Sequence, residues 1–215
     1  MKRLVLPRLY VILDAALLAV PETEIAGQLV DAGVRLMQYR HKYASSRELL
    51  ESSKRLSDVL IPRGVGFIVN DRADVAWLSG ATGVHVGQED LEVEGARTVV
   101  GPERLVGVST HNRVQFEQAA ASSADYIAVG PIFSTSSKAK PDPVVGMEFL
   151  RQVRSLTDKP IVAIGGITLD CAAEVVRAGA DSVAVISDVL RAPDPGARAR
   201  QFIEVLEAAN HAASV

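Results

Sequence analysis

The amino-acid sequence predicts a (β/α)8 barrel, in which eight parallel strands close into a cylinder surrounded by helices. The main observation is that short apolar runs alternate with amphipathic segments eight times along the chain, an alternation typical of this fold. Several amphipathic segments are followed directly by glycine, at Gly33, Gly80 and Gly179, which is a common way for a helix to end. Polar side chains lie mostly where an apolar run ends, and barrels of this class build their active sites there.

The strands are predicted from apolar runs that are nearly continuous and bounded by turn residues, a pattern typical of strands buried on both faces. These runs cover residues 9–13, 34–40, 66–70, 83–86, 105–109, 126–130, 161–165 and 182–186. The amphipathic segments between them predict helices over residues 22–32, 46–61, 72–79, 113–122, 147–156 and 169–178, with a closing helix over about 197–209.

The length of 215 residues is sufficient for one well-buried core and short for two enzyme domains. We therefore expect a single catalytic barrel domain over residues 1–215. An open, doubly wound sheet is the alternative architecture. Eight regular units, and the lack of a Gly-x-Gly-x-x-Gly motif after the first strand, favour the barrel.

Composition limits the classes of partner. The net charge is −3 and there is no polybasic tract, so we expect no sequence-independent binding to nucleic acid. No apolar stretch reaches the length of about 18 to 20 residues that a membrane span needs, so we expect no membrane association. The single cysteine, Cys171, excludes an intrachain disulfide and fits a reducing cytoplasm. A homo-oligomer is compatible with the sequence.

The loop after the sixth strand combines three hydroxyl side chains and one ammonium group, at Thr135, Ser136, Ser137 and Lys138. Hydroxyls donate hydrogen bonds and lysine supplies a point charge, so this loop suits a phosphate or diphosphate group. In isolation such a cluster is usually a solvated loop. Here polar residues from other strand ends are predicted to converge on the same face, which favours the anion site.

The second strand ends in residues suited to binding a polyanion. Gln38 and Arg40 share one face of the strand, and Tyr39 points to the other. Arg40 and Lys42 are close in sequence with no acidic residue between them, so together they would hold an anion at the barrel mouth. The alternative is a solvated strand end whose charges face water.

Asn70 and Asp71 lie at the end of the third strand and Asp90 follows the fourth, and these residues are candidates for binding a divalent cation. Mg²⁺ prefers oxygen ligands, commonly one or two carboxylates completed by substrate phosphate and water. Helix capping is the alternative role for both aspartates. The neighbouring cationic residues favour the metal site.

A second anion site is predicted after the last two strands, at Gly165, Gly166, Ile186 and Ser187. Glycine lets a backbone approach an anion closely, and barrels often form a phosphate pocket here from loop amides and a helix N-terminus. The predicted face therefore holds a metal-assisted site near strands 2 to 5 and a monophosphate site near strands 6 to 8.

Two histidines lie close to this face in the predicted fold. His85 lies two positions before Gly87, on the same face of the predicted strand. It is expected to be a hydrogen-bonded core residue rather than a base. His111 follows the fifth strand. It either reaches the site or belongs to the start of the next helix.

The motifs at seven strand ends, taken in order, closely resemble those of the thiamine phosphate synthase family. They are QYRHK at 38–42, VNDR at 69–72, GVHVGQED at 83–90, GVS at 107–109, GPIFSTSSK at 130–138, IGGI at 164–167 and VIS at 185–187. The resemblance extends from Leu9 to about residue 209. It implies a TIM-barrel transferase that joins hydroxymethylpyrimidine diphosphate to a thiazole phosphate, giving thiamine phosphate and diphosphate.

The resemblance also implies a role for each motif. Pyrimidine diphosphate would be held by Gln38, Tyr39, Arg40, His41, Lys42, Asn70, Ser109 and Lys138, of which Arg40, Lys42, Ser109 and Lys138 would be catalytic. Mg²⁺ would be bound by Asp71 and Asp90, and thiazole phosphate by Thr135, Ser136, Ser137, Gly166, Ile186 and Ser187. The implied mechanism is dissociative: diphosphate leaves, and the thiazole nitrogen captures the pyrimidine carbocation. The sequence departs from the family at Tyr39, His41 and Ser137, where leucine, glutamate and threonine are frequent.

Two other functions remain compatible with the residues. The related thiazole tautomerases share the barrel and isomerise their substrate with a histidine, and His111 lies in the region of that base. The motif residues Asp71, Asp90 and Lys138 favour the synthase, because a tautomerase has no diphosphate to expel. The third function is that of a catalytically silent barrel that binds a thiazole or thiamine phosphate.

Overall fold

The structure is a computed structural model that describes residues 4–135 and 142–211. Within these residues eight parallel strands pair in chain order, and the first also pairs with the last, which closes the barrel. The strands are β1 Leu9–Asp14, β2 Leu36–Arg40, β3 Gly66–Asn70, β4 Gly83–Val86, β5 Leu105–Thr110, β6 Tyr126–Val129, β7 Ile161–Ile164 and β8 Ser182–Val185. The predicted (β/α)8 barrel is confirmed, and the doubly wound alternative is wrong.

Helices connect successive strands around the outside of the barrel. They are α1 Glu22–Asp31, α2 Ser46–Leu60, α3 Ala73–Ser79, α4 Val93–Val100, α5 Arg113–Ala121, α6 Gly146–Arg154, α7 Leu169–Arg177, α8 Ser187–Leu190 and α9 Pro195–His211. The start of α2 is fixed by a capping box, in which Ser45 Oγ accepts from the Glu48 amide at 3.3 Å and Glu48 accepts from the Ser45 amide at 2.8 Å. The predicted set lacked α4 and α8, because α8 has four residues and α4 contains Gly95, a poor helix former.

The alternation of side chains along the strands separates the apolar residues into two layers. Met37 and Tyr39 belong to the layer between sheet and helices. Leu36, Tyr10 and Tyr126 belong to the layer inside the barrel. The predicted parity of β2 is therefore confirmed, and it directs Gln38 and Arg40 to the interior and the mouth.

The ends of six strands differ from the predicted bounds by one or two residues, and those of β3 and β4 match them. The backbone of Gly165 has a φ of 99°, in the left-handed region that a strand does not use, so β7 stops at Ile164. Strand β1, in contrast, is one residue longer than predicted. It continues to Asp14, which brings a carboxylate to the mouth of the barrel. Within the described ranges, no helix combines the length and the apolar character needed to cross a membrane.

Candidate active site

Two neighbouring cavities open at the C-terminal ends of the strands. The central cavity has an empty volume of about 530 Å³ including its mouth, and its lining includes Tyr10, Gln38, Arg40, Asn70, His85 and Ser109. The β6–β8 cavity has about 660 Å³, and its lining includes His111, Thr135, Asp142, Gly165, Gly166 and Ser187. Both cavities are bordered by Ser109, Ile164, Ala184 and Ile186. Two ligands bound side by side would therefore meet at this shared wall.

Each predicted cation at the end of β2 is paired with a carboxylate. Arg40 forms an ion pair with Asp14, and Asp14 also accepts a hydrogen bond from the Ala16 amide at 3.1 Å. Lys42 forms an ion pair with Asp71. Arg40 lines the central cavity, and Lys42 is held at the carboxylate of Asp71, the residue after the cavity-lining Asn70.

Asp14 is a site residue that the sequence analysis missed. Its side chain is buried, and its strand position is the register partner of Arg40 on β2. A signal was available, because Asp14 is a polar residue at a strand end, like the other candidates. It was overlooked because the predicted strand ended at Leu13, one residue before the end of β1.

Tyr39 and His41 are not brought to the cavities with their neighbours on β2. Tyr39 packs between sheet and helices, and burial raises the pKa of its hydroxyl. That hydroxyl lies 3.2 Å from His41 Nδ1, so the two side chains contact each other. The geometry does not support their predicted contact with pyrimidine diphosphate, because strand alternation turns Tyr39 away from the mouth.

Asp71 and Asp90 bring two carboxylates together beyond β3 and β4. Burial raises the pKa of Asp71, the negative charge of Asp90 raises it further, and the Lys42 ammonium opposes both effects. Asp90 also accepts a hydrogen bond from the Gly87 amide at 2.7 Å. A cation bound between the two carboxylates would relieve their repulsion.

This pair of aspartates fits the requirements of Mg²⁺, which commonly takes one or two protein carboxylates and completes its shell with substrate phosphate and water. Larger metal clusters are not found: among the described residues, no three or more His, Cys, Asp or Glu side chains converge as a metal site. The alternative role as helix caps is wrong. The N-cap of α3 is Arg72 and that of α4 is Glu92.

The loop after β6 is held against the end of β7. The Ile132 amide donates to the Ile164 carbonyl and the Phe133 amide to the Gly165 carbonyl, both at 2.9 Å. Thr135, at the end of this part of the loop, lines the β6–β8 cavity. Ser136, Ser137 and Lys138 lie outside the described residues, so their roles stay predictions from the sequence.

Gly166 allows this close approach of the two loops. Its φ of 65° lies in the left-handed region, and an added Cβ would be 2.4 Å from the Ser134 carbonyl oxygen and 2.8 Å from Phe133 Cβ. Ile186 is the N-cap of α8 and Ser187 its first residue. The residues predicted to bind a monophosphate after β7 and β8 therefore surround one cavity together with Thr135.

His111 lines the β6–β8 cavity, one of the two positions that the sequence left open for it. Its Nδ1 lies 2.6 Å from the Gly130 carbonyl oxygen, and its Nε2 lies 3.5 Å from a carboxylate oxygen of Asp142. The following helix is capped by Asn112, whose side chain accepts from the Gln115 amide at 3.0 Å. His111 is thus placed to contact a ligand in this cavity.

His85 is a buried histidine with hydrogen-bonding partners on both ring nitrogens, as predicted. Nδ1 lies 3.1 Å from the Tyr126 hydroxyl, and Nε2 lies 2.9 Å from Ser109 Oγ. It therefore connects the barrel interior to a site residue. Tyr10 and Tyr126 also border this region, and the sequence analysis missed both, although a tyrosine of interior parity in an apolar strand signals a buried hydroxyl that needs a partner.

The site offers charges and hydrogen-bond donors for two anions, with a carboxylate pair for a metal beside one of them. Such a site can stabilise a leaving anion, because preorganised donors and cations act on the charge that develops as the bond breaks.

The family model described as thiamine monophosphate synthase matches residues 9–189. The thiamine-phosphate synthase of Koribacter versatilis is 53% identical over 207 residues, covering 94% of this chain and 96% of its own. That of Chloroflexus aurantiacus is 46% identical, covering 91% and 90%. The solved thiamine phosphate pyrophosphorylase of Pyrococcus furiosus superposes with a TM-score of 0.86 at 34% identity, covering 94% and 96%.

Proposed function

Because the chain belongs to the thiamine monophosphate synthase family, and is thus a transferase that couples a pyrimidine and a thiazole to make thiamine phosphate, we propose that it does so by expelling diphosphate from an activated pyrimidine. The observation that carries this mechanism is the pair of adjoining cavities with a shared wall at Ser109. One cavity lies beside the cations and carboxylates that suit diphosphate. The other is formed by the loops that suit a monophosphate. We propose that residues 1–215 act as one catalytic domain.

The pyrimidine diphosphate is assigned to the central cavity. Arg40, Asn70 and Ser109 line it. They would hold the diphosphate together with Lys42, which pairs with Asp71 next to Asn70, and with Lys138. Asp71 and Asp90 would hold Mg²⁺. When bound, the metal neutralises charge that builds up on the departing diphosphate. Lys42 is paired with Asp71, so its ammonium lies beside the carboxylates that would hold Mg²⁺ and would add positive charge next to the diphosphate.

The thiazole phosphate is assigned to the β6–β8 cavity, with its phosphate near Thr135, Gly166 and Ser187. A thiazole phosphate bound in this position would place its ring nitrogen towards the shared wall, where the pyrimidine methylene would lie. The nitrogen is already nucleophilic, so no side chain has to remove a proton before the new C–N bond forms. The described lining supplies positioning and charge stabilisation, which is what a dissociative reaction requires.

The direct test is to incubate the purified protein with both phosphorylated substrates and Mg²⁺ and to measure thiamine phosphate and released diphosphate. We expect equal amounts of the two products and loss of activity in excess chelator. Binding of a thiazole phosphate without any turnover would instead indicate a silent binding barrel.

Replacing Arg40 by glutamine should lower kcat by about a hundredfold and change the KM for the pyrimidine substrate much less. The reason is that negative charge on the diphosphate grows as the bond breaks, so the contact with Arg40 is strongest in the transition state. Steady-state kinetics with each substrate varied would measure this. The matched control is Arg63→Gln, because Arg63 pairs with Asp31 on the surface, outside both cavities, and its loss should leave both constants unchanged.

Replacing Ser187 by alanine should raise the KM for the thiazole phosphate by about tenfold and leave kcat nearly unchanged. This contact is expected to be similar in the ground state and the transition state, so its loss weakens binding rather than chemistry. A fall in kcat with constant KM, together with a raised KM alone in Arg40→Gln, would show that the two anion sites are exchanged.

A thiazole tautomerase is the second candidate activity, favoured by the position of His111 beside Asp142 in the β6–β8 cavity. Histidine can shuttle protons near neutral pH, which an isomerase needs and a dissociative synthase does not. We expect His111→Gln to keep the coupling rate within about tenfold of the parent. A protein that isomerises a thiazole carboxylate phosphate, loses that activity in His111→Gln and forms no thiamine phosphate would be a tautomerase.

A further inference from the structure

A chain of hydrogen bonds crosses the interior of the barrel and connects two residues of the central cavity. Gln38 Nε2 donates to the Tyr10 hydroxyl at 2.8 Å, and the hydroxyls of Tyr10 and Tyr126 lie 3.1 Å apart. The Tyr126 hydroxyl lies 3.1 Å from His85 Nδ1, and His85 Nε2 lies 2.9 Å from Ser109 Oγ. We call these five side chains the interior relay. Its ends, Gln38 and Ser109, lie on strands β2 and β5 and both line the central cavity.

The relay depends on a glycine in β5. His85, Gly107 and Tyr126 are register neighbours on three consecutive strands, and a Cβ at Gly107 would lie 2.0 Å from the Tyr126 ring. The missing side chain at Gly107 therefore lets the rings of His85 and Tyr126 stack, with centroids 5.6 Å apart. This requirement explains the glycine of the Gly107-Val-Ser109 motif independently of any ligand.

The donor at one end of the relay determines the donor at the other end. Burial raises the pKa of both tyrosines, so each hydroxyl keeps its single proton at neutral pH. Since Tyr10 accepts from Gln38 Nε2, its own proton points to Tyr126, and the proton of Tyr126 points to His85 Nδ1. His85 then carries its proton on Nε2 and donates to Ser109 Oγ, which leaves the Ser109 proton for a ligand in the cavity.

We propose that the interior relay sets the specificity of the central cavity for an aminopyrimidine, with Tyr10, Tyr126 and His85 as positioning residues. Gln38 presents its amide oxygen, an acceptor for the exocyclic amino group, and Ser109 presents a hydroxyl proton, a donor for a ring nitrogen. The proposal rests on the proposed function for the identity of the ligand. The order of donors along the relay does not depend on it.

The relay makes the two ends of the cavity dependent on each other. An analogue with an oxo group in place of the amino group would face the Gln38 oxygen with another acceptor. Rotating the Gln38 amide would remove that conflict, but every bond of the relay would then have to reverse. Ser109 would then present an acceptor to the ring, which conflicts with the ring nitrogen that stays unprotonated in the oxo form. We therefore expect the parent protein to use the oxo analogue about a hundredfold less efficiently or worse, because a site built around hydrogen bonds rejects a mismatched ligand strongly.

The first experiment measures the tautomer of His85 without any substrate. In ¹⁵N-histidine-labelled protein, the long-range ¹H–¹⁵N spectrum distinguishes an Nε2-protonated ring from an Nδ1-protonated ring and from an imidazolium. The signal is assigned by its loss in His85→Gln. We expect the Nε2–H tautomer. An Nδ1–H ring or an imidazolium would overturn the proposed order of donors.

The second experiment measures kcat/KM for the amino substrate and the oxo analogue in Tyr126→Phe, which keeps the ring against His85 and removes the relay bond. We expect the KM for the amino substrate to rise about tenfold, the KM for the thiazole phosphate to stay unchanged, and the discrimination against the oxo analogue to fall by about tenfold or more. Tyr10→Phe interrupts the relay one bond earlier and should act in the same direction.

The matched control is Ser182→Ala, which removes another buried hydroxyl, one that donates to the Arg8 carbonyl at 3.3 Å. It should leave the discrimination unchanged. Unchanged discrimination in both tyrosine variants would show that the relay has no role in specificity. If the protein couples neither pyrimidine, the proposed function fails, and the His85 tautomer still decides whether the relay is ordered as inferred.

Discussion

Replacing Asp71 or Asp90 by asparagine should lower kcat/KM for coupling by about a thousandfold or more, the largest effect expected for any single change in this protein. A metal at a departing diphosphate supplies several kcal/mol of transition-state stabilisation, and each 1.4 kcal/mol is about a factor of ten in rate. Asparagine keeps an oxygen ligand but removes the charge. The measurement is the steady-state rate over a range of Mg²⁺ concentrations.

The same substitutions should leave the fold intact. Asp71 has a φ of 65°, and asparagine is one of the few residues that accept this left-handed conformation readily. The raised pKa of Asp71 reflects burial and the nearby Asp90 charge, so a neutral side chain removes an unfavourable interaction. We expect the Tm of Asp71→Asn to be equal to or above that of the parent in metal-free buffer.

The matched control for these variants is Asp74→Asn in α3, because the Asp74 carboxylate is exposed and paired with Arg72. It should keep full coupling activity. An Asp71→Asn variant with normal activity, or full activity of the parent in excess chelator, would contradict the assignment of the metal to this pair.

Replacing Gly166 by alanine should raise the KM for the thiazole phosphate by about a hundredfold, the second large effect. The new Cβ would lie 2.4 Å from the Ser134 carbonyl oxygen, so the backbone of the β6 loop has to move. That loop carries Thr135 on the wall of the β6–β8 cavity. The pyrimidine substrate, assigned to the central cavity, should keep its KM within about threefold.

A positive φ alone makes alanine unfavourable by about 1–2 kcal/mol, so Gly166→Ala needs a control for this cost. Gly64 provides it, because its φ is 69° and an added Cβ there would have nothing within 4 Å. Gly64→Ala should lower the Tm while leaving both KM values unchanged. If the two variants raise the KM for thiazole phosphate equally, the effect comes from reduced stability and the position of the β6 loop does not matter for binding.

Much of the fold follows from local patterns in the chain. The first and last residues of β3 and β4 were predicted correctly. Both apolar runs start at a glycine, Gly66 and Gly83, and the first of them ends at Asn70. Errors arose where the local signal is weak. The short helix α8 is a single turn, which has too few residues for an amphipathic pattern. Strand β1 includes Asp14, a polar residue just beyond the apolar run from which the strand was predicted.

The sequence by itself determined the barrel, the parity of β2 and the face on which the site lies. These features depend on spacing along the chain. Successive side chains of a strand point to opposite faces, and a parallel barrel places the C-terminal ends of all its strands at one face. The tertiary structure decided which side chains meet. It paired Arg40 with Asp14 and Lys42 with Asp71. It also joined Gln38 to Ser109 through the interior of the barrel. Such contacts depend on distances across a closed sheet between residues far apart in sequence, and no local pattern encodes those distances.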